Sequence, residues 1–242
     1  MTRSVWLKAD DEVGDWEDRK RRITAGLEAG VDWVLVDSRD VERVRELGDV
    51  NVAAFDGEDA HVMEAESSAS EADIQVTGKD AEGDGTLDLP GDLSGSADLS
   101  ALRRDDGPRA GYVRIFDEEY ETFAESVAAE AEYTIVVGTD WQIIPLENLI
   151  ARIGTETTLV AGVTTAEEAE TAYETLEIGV DAVLLDSDDP DEIRETVAVR
   201  DAVDREQLDL QWAEVTAVER TGSADRVCID TGSLMEHDEG ML

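Results

Sequence analysis

The chain has a single cysteine, Cys228, in 242 residues. That excludes a disulfide framework and a cysteine-rich metal site. Its two histidines, His61 and His237, stand too far apart and too unsupported to make a metal centre, so none is expected. Lysine is almost as scarce: Lys8, Lys20 and Lys79 are set against seventeen arginines. No apolar run approaches the ~20 residues that a membrane helix needs, and the N-terminus lacks a signal-peptide core. No G-x-G-x-x-G follows the first strand candidate, so the Rossmann dinucleotide fingerprint is missing.

What the chain has in excess is acid. The formal net charge is −41, which on composition alone lies near the disordered class. The apolar residues argue for a fold, because they are grouped into runs such as VLV, TIVVG, TLVAGV and AVLL. A folded protein with this charge repels itself at low ionic strength. Roughly 1 M salt shortens the Debye length to ~3 Å and removes most of that cost. The expectation is a cytoplasmic protein of an extreme halophile, its acidity an adaptation to solvent. Nucleic acid and anionic membranes are poor partners for such a surface.

Strand-like and helix-like segments alternate along most of the chain. Strands are expected at Ser4–Lys8, Asp32–Asp37, Asn51–Phe55, Ala72–Thr77, Tyr112–Phe116, Thr134–Val137, Thr157–Gly162 and Ala182–Asp186. Helices are expected at Trp16–Ala29, Val41–Leu47, Glu118–Ala131, from Pro145 to Ile153, from Thr165 to Ile178, and from Pro190 to about Val203. The stretch Gly57–Gly107 is rich in Gly, Ser, Asp and Glu and reads mostly as loop. Two segments match in register: EAGVDWVLVDSRDVERVR (Glu28–Arg45) and EIGVDAVLLDSDDPDEIR (Glu177–Arg194). Each reads as a helix–strand–helix unit in which Gly ends one helix and an Asp-Ser pair caps the next. Repeated units and eight strands favour an irregular (βα)8 TIM-barrel-like α/β domain over residues 1–205, with a doubly wound open sheet as the alternative. From residue 206 to 242 the pattern turns β-rich with no closing element, which reads as the start of a C-terminal region in a longer protein.

Candidate chemistry gathers where strands end. Asp140 follows the strand Thr134–Val137, and Glu147 and Asn148 lie just inside the next helix. α/β folds place ligands at such C-terminal strand ends. The competing reading makes Glu147 a partner of the helix dipole and Asp140 a loop former. Lys8 and Lys79 fall at or just past the ends of strands one and four, and a retained lysine points to a deprotonatable amine. To serve as base or enamine former, its pKa must drop from about 10.4 to ~7–8, so burial must outweigh the surrounding carboxylates. An ordinary salt-bridged lysine is the alternative. In Asp225–Thr231, alternation puts Arg226, Cys228 and Asp230 on one face. Arg226 suits a bidentate grip on a substrate carboxylate and Asp230 could move protons; a solvated ion pair is the competing reading. The run Asp18–Arg22 (DRKRR) reads as the solvated face of the first helix.

Two motifs go beyond generic α/β architecture. TDWQIIPLENLIA (Thr139–Ala151) and TGSADRVCIDTGSLMEHDEGML (Thr221–Leu242) closely resemble the archaeal-type, or type II, 3-dehydroquinate synthases, and WLKADD with WEDRKRRITAGLEAGVD agrees. The resemblance implies an NAD-dependent enzyme of aromatic amino-acid biosynthesis. Its small-molecule substrate would be 2-amino-3,7-dideoxy-D-threo-hept-6-ulosonate, oxidatively deaminated and then cyclised to 3-dehydroquinate. On that chemistry Arg226 and Asn148 are candidates for substrate binding, and Lys8, Lys79, Asp140, Glu147 and Asp230 for catalysis. The rival readings are a Schiff-base aldolase on a related barrel and a non-catalytic binding module.

Overall fold

Runs of β-branched and aliphatic residues build eight short strands, buried on both faces except the fourth, where Gln75 and Thr77 are only half-buried. A computed structural model of the chain describes residues 3–55, 72–78, 102, 107–115, 118–138, 146–176 and 178–203. The strands are β1 (Ser4–Lys8), β2 (Trp33–Asp37), β3 (Asn51–Phe55), β4 (Ile74–Thr77), β5 (Arg109–Ile115), β6 (Tyr133–Gly138), β7 (Thr158–Val163) and β8 (Ala182–Leu185). All neighbours pair in parallel, and β8 pairs back onto β1, with Ser4 opposite Ala182 and Leu7 opposite Leu185. The sheet is therefore a closed barrel, as the eight-strand reading requires, and the open sheet is excluded.

Alternation divides the core into two layers. Trp6, Leu35, Phe55, Ile74, Tyr112, Ile135 and Leu184 fill the bore. Val5, Leu7, Val34, Val36, Val136 and Leu185 point outward against helix residues that include Ile23, Phe123, Leu149, Tyr173 and Ile193. At the N-terminal end of the bore Trp6 stacks on Trp33, with ring centroids 4.9 Å apart, and Tyr133 leans on both. That aromatic plug leaves the opposite mouth as the open end.

The helices are α1 (Trp16–Ala29), α2 (Val41–Leu47), α3 (Glu118–Ala128), α4 (Leu146–Ile153), α5 (Ala166–Glu174) and α6 (Pro190–Val203). Asp15 caps α1 by accepting from the N–H groups of Glu17 and Asp18, and Gly30 closes it in the left-handed conformation. Helix α5 stops earlier than periodicity suggested. Leu176 turns to φ 59°, and the Val180 N–H returns to the Ala172 carbonyl at 3.2 Å, so Leu176 and Ile178 are left exposed. β5 begins three residues earlier than expected, because Arg109 and Ala110 are buried against β4 and β6.

The Asp-Ser pairs do not cap the helices that follow them. No side-chain cap is formed by Asp37, and α6 is capped by Asp189, which accepts from the Asp191 N–H at 2.9 Å. The two aspartates are turned elsewhere by charged neighbours. A different aspartate plays a shared role in the repeat: Asp32 accepts the Val5 N–H of β1 at 2.8 Å, and Asp181 accepts the Leu159 N–H of β7 at 2.9 Å. Asp73 does the same for Val52 of β3 at 2.7 Å. These carboxylates satisfy strand N–H groups at the plugged end of the barrel.

Candidate active site

The C-terminal strand ends surround a cavity of about 1180 Å³. Lys8, the last residue of β1, points inward as Trp6 does two residues earlier, and only 6% of it is exposed. Its ammonium pairs with Glu12, with Asp186 at 3.4 Å and with Asp10 at 3.8 Å. Burial alone would lower its pKa, but Asp10, Tyr112, Glu12 and Asp186 outweigh burial and raise it. Lys8 is thus a fixed cation. The lowered pKa that a lysine base requires is not what this site produces, because the carboxylates win.

Asp186 follows β8 directly. Burial would raise its carboxyl, but Arg22 and Lys8 hold it below the usual carboxylate range. Arg22 comes from α1 and is buried; its Nη1 donates to Asp186 at 2.6 Å and to the Lys8 carbonyl at 3.0 Å, and its Nε to Asp188 at 2.8 Å. This corrects the reading of Asp18–Arg22 as a solvated face. Arg19 is buried too, against Asp40 at 2.5 Å, so two of the four cations in that run face the barrel. The reason is spacing: Arg19, Arg22, Ile23 and Gly26 share the inward stripe of α1.

The far wall belongs to β5, opposite β1 in the ring. Ala110, Tyr112 and Arg114 alternate inward there. Tyr112 is fully buried, and Arg114 lies beside its hydroxyl. Burial raises the Tyr112 phenol, and the nearby Lys8 and Arg114 only partly offset this, so it stays a neutral hydroxyl. Arg114 Nη2 also reaches both Glu12 oxygens, at 2.5 and 2.6 Å. Glu147, in the first turn of α4, lines the cavity from another side. Chemically, the mouth offers two fixed cations, one neutral phenol and several carboxylates.

Residues 2–200 match the family described as 3-dehydroquinate synthase II N-terminal domain, and residues 212–242 match that family's C-terminal domain. The chain belongs to the 3-dehydroquinate synthase II family. It is 74% identical, over all of its own length, to 63% of the 3-dehydroquinate synthase of Haloarcula marismortui. It is 73% identical, likewise over all of its length, to 62% of the Halobacterium salinarum protein of the same name. It is 49% identical to the Methanosarcina mazei protein, over 99% of this chain and 61% of that one. The chain therefore spans a little over three fifths of the length of these curated relatives. Among solved structures it is similar to a geranylgeranylglyceryl phosphate synthase of Thermoplasma acidophilum, with a TM-score of 0.51 and 16% identity over 81% of this chain and 92% of that one. It is also similar to a phosphoribosylanthranilate isomerase of Thermotoga maritima, with a TM-score of 0.50 and 13% identity over 83% of this chain and 99% of that one. At such identities these two share the barrel fold and nothing more is drawn from them.

Of the residues expected to carry the family's chemistry, Lys8 and Glu147 meet at the cavity. Asn148, beside Glu147 on α4, is exposed and does not line it. Lys79, Asp140, Arg226 and Asp230 lie outside the described residues, as do most of Gly57–Gly107 and the whole of 204–242. Sequence reasoning passed over Glu12, Arg22, Tyr112 and Arg114. The alternation of Ala110, Tyr112 and Arg114 was a usable signal, since a strand that ends on an inward Arg aims it at the mouth. Among the described residues, no acidic, His or Cys cluster is placed to hold a metal, and no helix is long and apolar enough to cross a membrane.

Proposed function

We propose that this chain forms the barrel part of an enzyme that converts 2-amino-3,7-dideoxy-D-threo-hept-6-ulosonate to 3-dehydroquinate, with NAD⁺ as hydride acceptor. The observation that carries this reading is the family match across residues 2–200. In the proposed reaction, loss of hydride from C2 gives an imine, which water hydrolyses to ammonia and a 2-oxo acid. The C7 methyl then loses a proton, attacks C2 and closes the ring.

The described residues do not fit the pyrophosphate of the nucleotide. Barrels hold phosphate at helix N-termini behind strands seven and eight. Here those N–H groups are taken by the chain's own carboxylates. Glu168 accepts the Thr164 N–H at 2.7 Å, Glu192 the Ala166 N–H at 2.7 Å, and Asp189 that of Asp191. A dinucleotide there would meet anions in place of donors. What the described residues do concerns the substrate side of the reaction.

Ring closure turns the C2 carbonyl oxygen into an alkoxide. A lysine held protonated in a buried position is suited to stabilise that charge and deliver its proton. Proton removal from C7 falls to a carboxylate, and Glu147 and Asp186 are candidates among the five carboxylates that line the same cavity with Glu12, Glu167 and Glu168. The raised Lys8 pKa argues against Lys8 as the amine of a Schiff-base aldolase; Lys79, the other lysine of that reading, lies outside the described residues.

The test is to supply the amino-ulosonate and NAD⁺ in molar KCl to the chain, and to a chimera extended with the rest of the Haloarcula relative. NADH, ammonia and 3-dehydroquinate are followed separately. Equal yields of all three support the reading; no turnover by either protein overturns it. In the active form, Lys8→Met is expected to slow cyclisation by about 10²–10⁴-fold. Lys8→Arg, which keeps the cation, should lose less.

A further inference from the structure

Glu12 occupies an unusual position. It belongs to the short 3-10 turn Asp11–Val13 behind β1, yet its carboxylate spans the mouth to β5 on the far side. There it receives both hydrogen bonds from Arg114 Nη2 while also pairing with Lys8. Arg114 lies beside the Tyr112 hydroxyl. Two cations that grip one carboxylate through both of its oxygens form the recognition geometry for a carboxylic acid. The rest of the mouth is acidic, with Asp186, Glu147 and Glu168 at the same cavity. A ligand carboxylate is therefore best received on these cations.

The turn that carries Glu12 is built to leave. None of its residues is buried. Gly14 follows at φ 133° and ψ −154°, a conformation open in practice only to glycine. The tethers on the Asp11 side include an N–H to Asp37 at 2.9 Å and an ion pair with the exposed Arg39 at 2.9 Å. Surface contacts of this kind hold weakly.

We propose that Arg114 and Lys8 form a monocarboxylate-binding site, that Glu12 fills it in the free protein, and that the substrate carboxylate takes it by displacing the Glu12 turn. Naming the amino-ulosonate carboxylate as the occupant rests on the function proposed above; the site itself does not. Glu12 then acts as an internal competitor. The apparent affinity for a carboxylate is reduced by the fraction of molecules in which Glu12 has vacated the cations.

Calorimetric titration at fixed KCl tests this with two ligands. One is 3-dehydroquinate, the product; the other is D-glycerate, a small hydroxy acid with no place in the proposed reaction. Glu12→Gln removes the competing charge and is expected to tighten both ligands about tenfold. Arg114→Ala is expected to weaken both by at least tenfold, Arg114→Lys by less, and adding Glu12→Gln to Arg114→Ala should regain only the share that Lys8 carries. Melting curves establish that each variant is folded, and Arg114→Lys replaces Arg114→Ala if the latter is not. Glu12→Gln binding no tighter, or Arg114 variants binding as well as the parent, overturns the proposal. If glycerate follows the expected order while 3-dehydroquinate fails to bind, the carboxylate site stands and the function reading falls. If 3-dehydroquinate binds alike in every variant, the site falls and the function reading stands.

Discussion

The two copies of the helix–strand–helix unit, Glu28–Arg45 and Glu177–Arg194, are near-identical in pattern and unequal in role. At the plugged end of the barrel they agree: Asp32 and Asp181 each hold an N–H of the preceding strand in the ring. At the open end they part. Asp37 accepts the Asp11 N–H and steadies the Glu12 turn, whereas Asp186 sits between Arg22 and Lys8 at the cavity. The same Asp at the same strand end takes its work from the neighbour that barrel closure supplies. β8 closes onto β1, so Asp186 meets Lys8; β2 lies on the other side of β1, where Lys8 is turned toward the bore. Repetition therefore conserved the scaffold contact and left the mouth free to diverge.

The largest effect that would sharpen this contrast is on turnover. On the function proposed above, Asp186→Asn should slow ring closure about 10–100-fold, because Lys8 and Arg22 lose the charge that orients them. Asp37→Asn keeps an oxygen for the Asp11 N–H and should change the rate less than about threefold. Steady-state rates of 3-dehydroquinate formation decide it, and equal losses in both variants would dissolve the distinction.

A middle-sized effect concerns the equivalent glycines. A Cβ on Gly179, at φ 64°, would lie 2.0 Å from the Tyr173 carbonyl oxygen, whereas one on Gly30, at φ 87°, would meet nothing within 4 Å. Gly179→Ala is expected to cost about 3 kcal/mol from overpacking added to left-handed strain, and Gly30→Ala about 1 kcal/mol from strain alone. Denaturant midpoints report the difference. Similar costs would mean that the tight approach of α5 to the β8 entry relaxes freely.

The smallest effect should be shared. Asp32→Ala and Asp181→Ala each remove the acceptor of one strand N–H and should each lower stability by about 1–2 kcal/mol, Asp32→Ala by the larger amount because it also removes a partner of Arg200 at 2.5 Å. Neither should alter turnover by as much as Asp186→Asn. A loss in only one of them would show that the lower ends of the copies are not equivalent either.

Much of this was open to reading in the linear chain. Val34, Leu35 and Val36 announce a strand buried on both faces, and Leu149, Ile150 and Ile153 a helix face turned inward. Lys8 was found through scarcity, as a residue type the composition otherwise avoids. Arg22 was misread because four cations in five residues look solvated until the helical stripe they sit on is placed against the barrel. The Asp-Ser pairs were misread because a local cap competes with partners on other elements: the Asp11 N–H and Arg19 for Asp37, and Arg22, 164 residues away, for Asp186.

By itself, then, the sequence determined the type and order of the elements among the described residues, since periods of 2 and 3.6 are properties of a local backbone. It determined that the chain belongs with 3-dehydroquinate synthases, through long motifs. Tertiary structure alone decided the direction in which the Lys8 pKa moves, the burial of Arg22, and the contact between Glu12 and Arg114, 102 residues apart. Those are sums over charges and solvent that exist only after β1 and β8 have closed the ring, because Coulomb interactions and desolvation depend on distance through space, which separation along the chain does not encode.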